Sequence, residues 1–151
     1  MRVHKLKVRK MDVSDIRFVD QAERDQFGKS LSEKTLSNEL LYNDLAYYYM
    51  ALIDSKRVGY IGVWITIPNA EITTIMVIPE YRHQGLGREL MRCVYQLCQE
   101  KNVDDLTLEV RVSNEQAIQF YHLQGFKIVS IRKNYYDDGE DAYLMVKHLG
   151  G

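Results

Sequence analysis

A strand, a two-glycine loop and an amphipathic helix follow one another between residues 71 and 99, and this junction constrains the fold more than any other segment of the chain. An apolar, β-branched run over 71–78 gives way to Pro79-Glu80-Tyr81-Arg82-His83-Gln84. Gly85-Leu86-Gly87 then opens a helix to about Gln99. Leu86, Leu90, Val94 and Leu97 recur at i, i+4, i+8 and i+11, the rhythm of one buried stripe. Glycines let a backbone approach a ligand closely, and a helix start offers unpaired N–H groups and a partial positive charge. A phosphate or pyrophosphate suits such a turn. The dinucleotide fingerprint is excluded because Leu90 stands where its third small residue belongs. A Walker A loop is excluded because no Gly-Lys-Ser/Thr follows.

The segments on either side have different rhythms. Before the junction, Leu6 and Val8 alternate with basic residues as a first strand. Ile16, Val19 and Ala22 mark a helix broken at Phe27-Gly28-Lys29, and Ser32 opens a second helix carrying Leu36, Leu40 and Leu41. Strands over 46–53 and 58–67 follow, with Asp54-Ser55 and Pro68-Asn69 as turns. After the junction, Leu106, Leu108 and Val110 form a strand. Ser113 with Gln116 reads as the capping box of a helix that Gly125 closes, and strands near 126–134 and 141–148 flank Asp137-Asp138-Gly139. The expectation is an α+β fold with a mixed, mostly antiparallel central sheet and about four helices. At 151 residues it reads as a single domain over residues 1–149.

Composition removes several function classes. Hydrophobic residues make up 46% and charged residues 27%, as in a globular protein. The longest apolar stretch, Val58 to Ile67, contains two glycines and falls short of the ~18 residues of a membrane span. Net charge is −1, and the one basic cluster is the N-terminal strand, so no nucleic-acid partner is expected. Cys93 and Cys98 stand about 140° apart around a helix, which suits neither a redox pair nor a metal clip. They read as reduced thiols of a cytoplasmic protein, with no secretory signal ahead of them. The four histidines, His4, His83, His122 and His148, show no metal-ligand spacing, so no metal is expected.

The spacing Arg82-x-x-Gly85-x-Gly87 resembles the acetyl-CoA signature of the GCN5-related N-acetyltransferase (GNAT) superfamily. The block Ser113-Asn114 to Gly125-Phe126, with Tyr121 inside it, is similar to the family's second block. Leu108-Glu109-Val110-Arg111, Asn134-Tyr135-Tyr136 and Gly139-Glu140-Asp141-Ala142 narrow the likeness. They resemble protein N-terminal acetyltransferases: the ribosomal-protein alanine N-acetyltransferases (RimI type) and their archaeal counterparts. One departure stands out. The RimI type usually carries a tryptophan-serine pair between its first two helices, where this chain has Phe27-Gly28-Lys29-Ser30.

The resemblance implies acetyl-CoA as cosubstrate and an amine as acceptor. It implies that the strand at Ile75, Met76 and Val77 splays from its neighbour and pairs with the pantetheine arm. Backbone N–H groups of His83, Gln84, Gly85, Leu86, Gly87 and Arg88 would hold the pyrophosphate, with Arg82 and Arg88 adding charge and Asn114 bonding the arm. It also implies Glu109 as general base and Tyr121 as general acid. From the residues alone, Glu109 is a costly carboxylate between Leu108 and Val110, which a salt bridge with Arg111 or a solvated strand end explains more readily than a catalytic role. An α-amine with a pKa near 7.7–8.0 is about one-tenth neutral at pH 7, against roughly one part in 2,500 for lysine, so a mild base suffices. The expected acceptor is a protein N-terminus, that of a ribosomal protein among the candidates. Small-molecule amines, and an acyl-CoA-binding module without turnover, remain as alternatives. Sequence leaves monomer and homodimer both open.

Overall fold

The computed structural model describes residues 5–150, and the reading of His4 lies outside the described residues. Among the described residues there are seven strands: β1 (Leu6–Lys10), β2 (Ala46–Ile53), β3 (Lys56–Thr66), β4 (Asn69–Val77), β5 (Asp105–Arg111), β6 (Lys127–Arg132) and β7 (Ala142–His148). Four α-helices accompany them: α1 (Ile16–Phe27), α2 (Glu33–Tyr42), α3 (Leu86–Glu100) and α4 (Glu115–Leu123). The strand order is β1-β2-β3-β4-β5-β7-β6. Pairing is antiparallel in β1/β2, β2/β3, β5/β7 and β6/β7 and parallel in β4/β5, the expected mixed sheet. Contacts divide the chain into two compact units. One holds the residues up to Trp64 together with Thr73–Leu97, and the other holds Ile65–Ile72 with Cys98 onward.

In the first unit, Asp54 and Ser55 both take positive φ (49° and 70°), the geometry of a two-residue hairpin turn, and join β2 to β3. Gly28 ends α1 in the left-handed region, its N–H donating to Arg24 O at 2.9 Å. Ile16, Val19 and Ala22 face inward from α1 and join Leu36, Tyr48, Met50, Tyr60 and Met76 in one apolar cluster. Burial of each large side chain there contributes about 1.5–3 kcal/mol. Gly59 is required by β4, since a Cβ there would lie 2.7 Å from Met76 O. Behind α1, Asp15 is fully buried between Arg9 and Arg57.

In the second unit, the start of β4 pairs with β5 from Asn69↔Asp105 to Glu71↔Thr107, three residue pairs of a nine-residue strand. Along β5, Leu106, Leu108 and Val110 are buried, while Asp105, Thr107, Glu109 and Arg111 share the opposite, half-buried face. β6 pairs only with β7, and all six of its residues are exposed. The start of α4 differs from the Ser113 capping box. Asn114 is the N-cap, its side chain accepting the Ala117 N–H at 3.2 Å, because Ser113 is still held in the preceding turn through its N–H to Glu140.

Candidate active site

The first unit carries the glycine turn. After β4, a single 3-10 turn at Pro79–Tyr81 leads to His83, whose φ of 64° is left-handed, and to Gly85 at φ 83°. A non-glycine residue in that region is uncommon, histidine less so than most. Gly85 O accepts the first intrahelical bond, from Glu89 N–H at 3.1 Å. The N–H groups of Leu86, Gly87 and Arg88 therefore precede any intrahelical acceptor and point out of the helix start. Leu86 anchors the turn with its side chain 2% exposed, whereas Arg82, His83, Gln84 and Arg88 are exposed. Arg82 braces the turn from below: its Nε donates to Val77 O at 3.0 Å and its Nη2 to Gln26 Oε1 at 3.3 Å. Of the strand residues, Met76 is buried and Ile75 and Val77 are half-buried.

The second unit carries the carboxylates. Glu109 pairs with Arg132, not with the Arg111 that sequence neighbourhood suggested; Oε1 lies 3.2 Å from Arg132 Nε. Arg132 is opposite Ala142 and Glu109 opposite Leu144, so the pair spans β7 on a diagonal. Glu71 lies opposite Thr107, two residues along the same face from Glu109, and its carboxyl acts on that of Glu109. Burial and the Glu71 carboxyl together push Glu109 up to about 7, against the opposing pull of Arg132.

Tyr121 is buried on α4, packed edge-to-face against Phe120 and Phe126 at 5.5 and 5.8 Å. Burial, with the neighbouring Tyr136 phenol, pushes it up to about 12, so it remains protonated at neutral pH. Among the described residues no buried side-chain oxygen lacks a partner. Of the tyrosine run on β2, Tyr48 turns inward and donates to Glu39 at 2.9 Å, while Tyr47 and Tyr49 are half-buried. Tyr135 and Tyr136 stand at right angles, 5.0 Å apart.

The Acetyltransferase (GNAT) family profile matches residues 16–126. The chain belongs to the GNAT family. A Bacillus subtilis relative, provisionally named a ribosomal protein bS18-alanine N-acetyltransferase, is 43% identical over 142 residues, 93% of this chain and 94% of its own. An N-alpha-acetyltransferase of Sulfurisphaera tokodaii is 36% identical over 115 residues, covering 68% of this chain and 69% of its own. The crystal structure of the ribosomal-protein-S18-alanine N-acetyltransferase of Escherichia coli superposes with a TM-score of 0.87 at 28% identity, covering 97% of this chain and 96% of that one.

As a GNAT enzyme the chain is an acetyl-CoA-dependent N-acetyltransferase. The turn at His83–Arg88 fits that cosubstrate: its outward N–H groups, flanked by two left-handed residues, suit a diphosphate's charge and size. Two residues that act on Glu109 escaped the sequence reading. Glu71 sits between Ala70 and Ile72 as Glu109 sits between Leu108 and Val110, so the argument that singled out one carboxylate applied equally to the other. Arg132 carried no such signal, because its partner lies two strands away. Among the described residues no helix is long and apolar enough to cross a membrane.

Proposed function

We propose that this enzyme transfers acetyl from acetyl-CoA to the α-amino group of a protein N-terminus, within one acetyltransferase domain spanning residues 1–149. The observation that carries the reading is the Glu71–Glu109 pair, with Glu109 poised at about 7. An α-ammonium has a pKa of about 7.7–8.0, so a base near 7 takes its proton at small thermodynamic cost, whereas a lysine at about 10.4 is a poor match. The names of the bacterial and archaeal relatives support the same acceptor class.

Acetyl-CoA supplies the thioester: a C–N bond forms, the C–S bond breaks, and the acceptor nitrogen gives up two protons, one as the ammonium becomes the amine and one after attack, the second balancing the proton that the departing thiolate receives. Glu109 is the general base that accepts the acceptor's proton, and Arg132 keeps the resulting carboxyl pair from rising further. Tyr121, protonated up to about 12, is the general acid that hydrogen-bonds and protonates the thiolate. Leu86, Gly87 and Arg88 hold the pyrophosphate through backbone N–H groups, with His83, Gln84 and Gly85 shaping the cradle and the Arg88 guanidinium adding charge. Arg82 contributes by fixing the turn to Val77 O. Backbone groups of Ile75, Met76 and Val77 pair with the pantetheine arm, and the Asn114 side chain bonds it. A ribosomal protein is the acceptor we favour, since two relatives that match this chain over more than nine-tenths of their own length carry that substrate in their names.

The test is CoA-thiol release with two peptides of identical sequence, one with a free N-terminal Ala and one blocked at the N-terminus but holding an internal lysine. Turnover on the free peptide alone supports the reading. Turnover on the blocked peptide, or on a polyamine alone, overturns it.

A further inference from the structure

One well-built cluster of the second unit takes no part in the chemistry above. Arg111 ends β5 on the same face as Glu109, two residues beyond it. Its Nη1 lies 2.9 Å from Asp138 Oδ2 and 2.9 Å from Glu140 Oε1, both in the connection between β6 and β7. Its guanidinium carbon stands 4.0 Å from the centre of the Tyr136 ring. The other Glu140 oxygen accepts the Ser113 N–H at 3.0 Å, and the Val112 N–H donates to Asp141 O at 3.2 Å. Every link therefore runs from the end of β5 to residues 136–141.

Within the connection, Tyr136 N–H donates to Glu140 O at 3.1 Å and Gly139 N–H to Tyr136 O at 2.8 Å. Gly139 takes the positive φ of 88° that closes this loop. The loop presents Tyr135 and Tyr136: the Tyr136 ring lies against Arg111, which shares its face of β5 with Glu109, and Tyr135 packs on Tyr136; burial raises both phenols, with Glu109 adding to it. An isolated exposed ion pair holds little, but one planar guanidinium shared by two carboxylates and stacked on a ring is a network with a fixed geometry. Lysine supplies the charge without the fork or the stacking face.

We propose that Arg111 is a positioning residue: it holds the β6–β7 connection so that Tyr135 and Tyr136 stand beside Glu109, and acceptor binding depends on that hold while acetyl-CoA binding does not. The kinetic half of this proposal rests on the N-terminal-acceptor reading; the hold itself does not. Two measurements separate them. Amide hydrogen exchange is followed across 133–141 in wild type, Arg111→Gln and Arg111→Lys without ligands, and KM is measured for the free-Ala peptide and for acetyl-CoA. In Arg111→Gln, exchange at Tyr136 and Gly139 accelerates at least tenfold. The acceptor KM rises about tenfold, equivalent to ~1.4 kcal/mol, while the acetyl-CoA KM stays within about twofold and kcat changes less than KM. Arg111→Lys restores part of the acceptor KM. High salt raises the wild-type acceptor KM and leaves that of Arg111→Gln unchanged. Unchanged exchange over 133–141 overturns the proposal. So does a loss shared by both KM values with a lower melting temperature, which would make Arg111 merely structural. Absence of turnover on any peptide by the wild type sinks the acceptor reading, and the exchange result still decides whether Arg111 holds the loop.

Discussion

Two buried carboxyl groups, one in each unit, are built from the same ingredients and end in opposite states. Asp15 is fully buried, yet Arg9 reaches both its oxygens at 2.8 Å, Arg57 Nε lies at 2.7 Å and the Asp12 N–H at 2.9 Å. Burial alone would raise it; those four donors reverse the sign and hold it at about 2. Glu109, 11% exposed at its side chain, has one half-exposed arginine at 3.2 Å and a second carboxyl acting against its charge, and it rises to about 7. The difference lies in donor count. Where the fold supplies enough donors, a buried charge becomes a fixed structural anion; where it supplies too few, the group is left able to exchange a proton near neutral pH.

That contrast breaks most visibly at Glu109. Glu109→Gln should lower kcat/KM by about 10²–10⁴-fold while acetyl-CoA still binds, read by thiol release and by titration. It should also raise the melting temperature at pH 8. The native pKa lies above the unfolded one, so Glu109 favours the fold at low pH, and that contribution is lost as pH rises through about 7. Asp15→Asn is the mirror case. It should cost about 3 kcal/mol in denaturant unfolding, because two arginines lose their buried counter-charge, with both KM values retained in the folded fraction. Its sign with pH is reversed: the depressed pKa supports the fold above the unfolded value of 3.8, and that support disappears as pH falls through about 2.

Tyr121→Phe keeps the ring packing against Phe120 and Phe126 and removes only the phenolic proton, so kcat should fall about 10²-fold with the melting temperature preserved. The smallest effect sharpens the comparison most. Glu71→Gln removes the carboxyl that, after burial, raises Glu109, so the acid limb of kcat/KM against pH should move from near 7 to lower pH, with about threefold or less change at pH 8. An acid limb that stays put would mean that burial alone sets the base.

How far these features could be read in advance follows from the range of the interactions. Gly28, the Asp54-Ser55 turn, the stripe of α3 and the alternation of β5 are local, and each was legible from residues within a few positions of one another. Asn114 displaced Ser113 as the cap because Ser113 is held by Glu140, 27 residues away. The partner of Glu109 was hidden for a similar reason. Which β6 residue reaches it depends on the β6/β7 register, which slips between Ile128 and Ser130, and a one-residue slip changes the face of every side chain. Arg111 then took the acidic residues of the loop instead of its near neighbour. Short-range chemistry fixed the elements, and long-range register chose the partners.

The outer strand gives Arg132 a second duty. β6 ends the sheet with Ile128, Val129 and Ile131 between 40% and 58% exposed, an apolar edge open to pairing with another chain. Lys127, Arg132 and Lys133 are the charges that border it. Replacing Arg132 would therefore act twice, releasing Glu109 from the cation paired with it and removing a gatekeeper from an aggregation-prone edge. An evolving lineage that needed a different basicity at Glu109 would find this substitution penalised by loss of soluble protein in a crowded cell. Adjustment through Glu71, away from the edge, carries no such penalty, and that asymmetry channels the routes by which the site can drift.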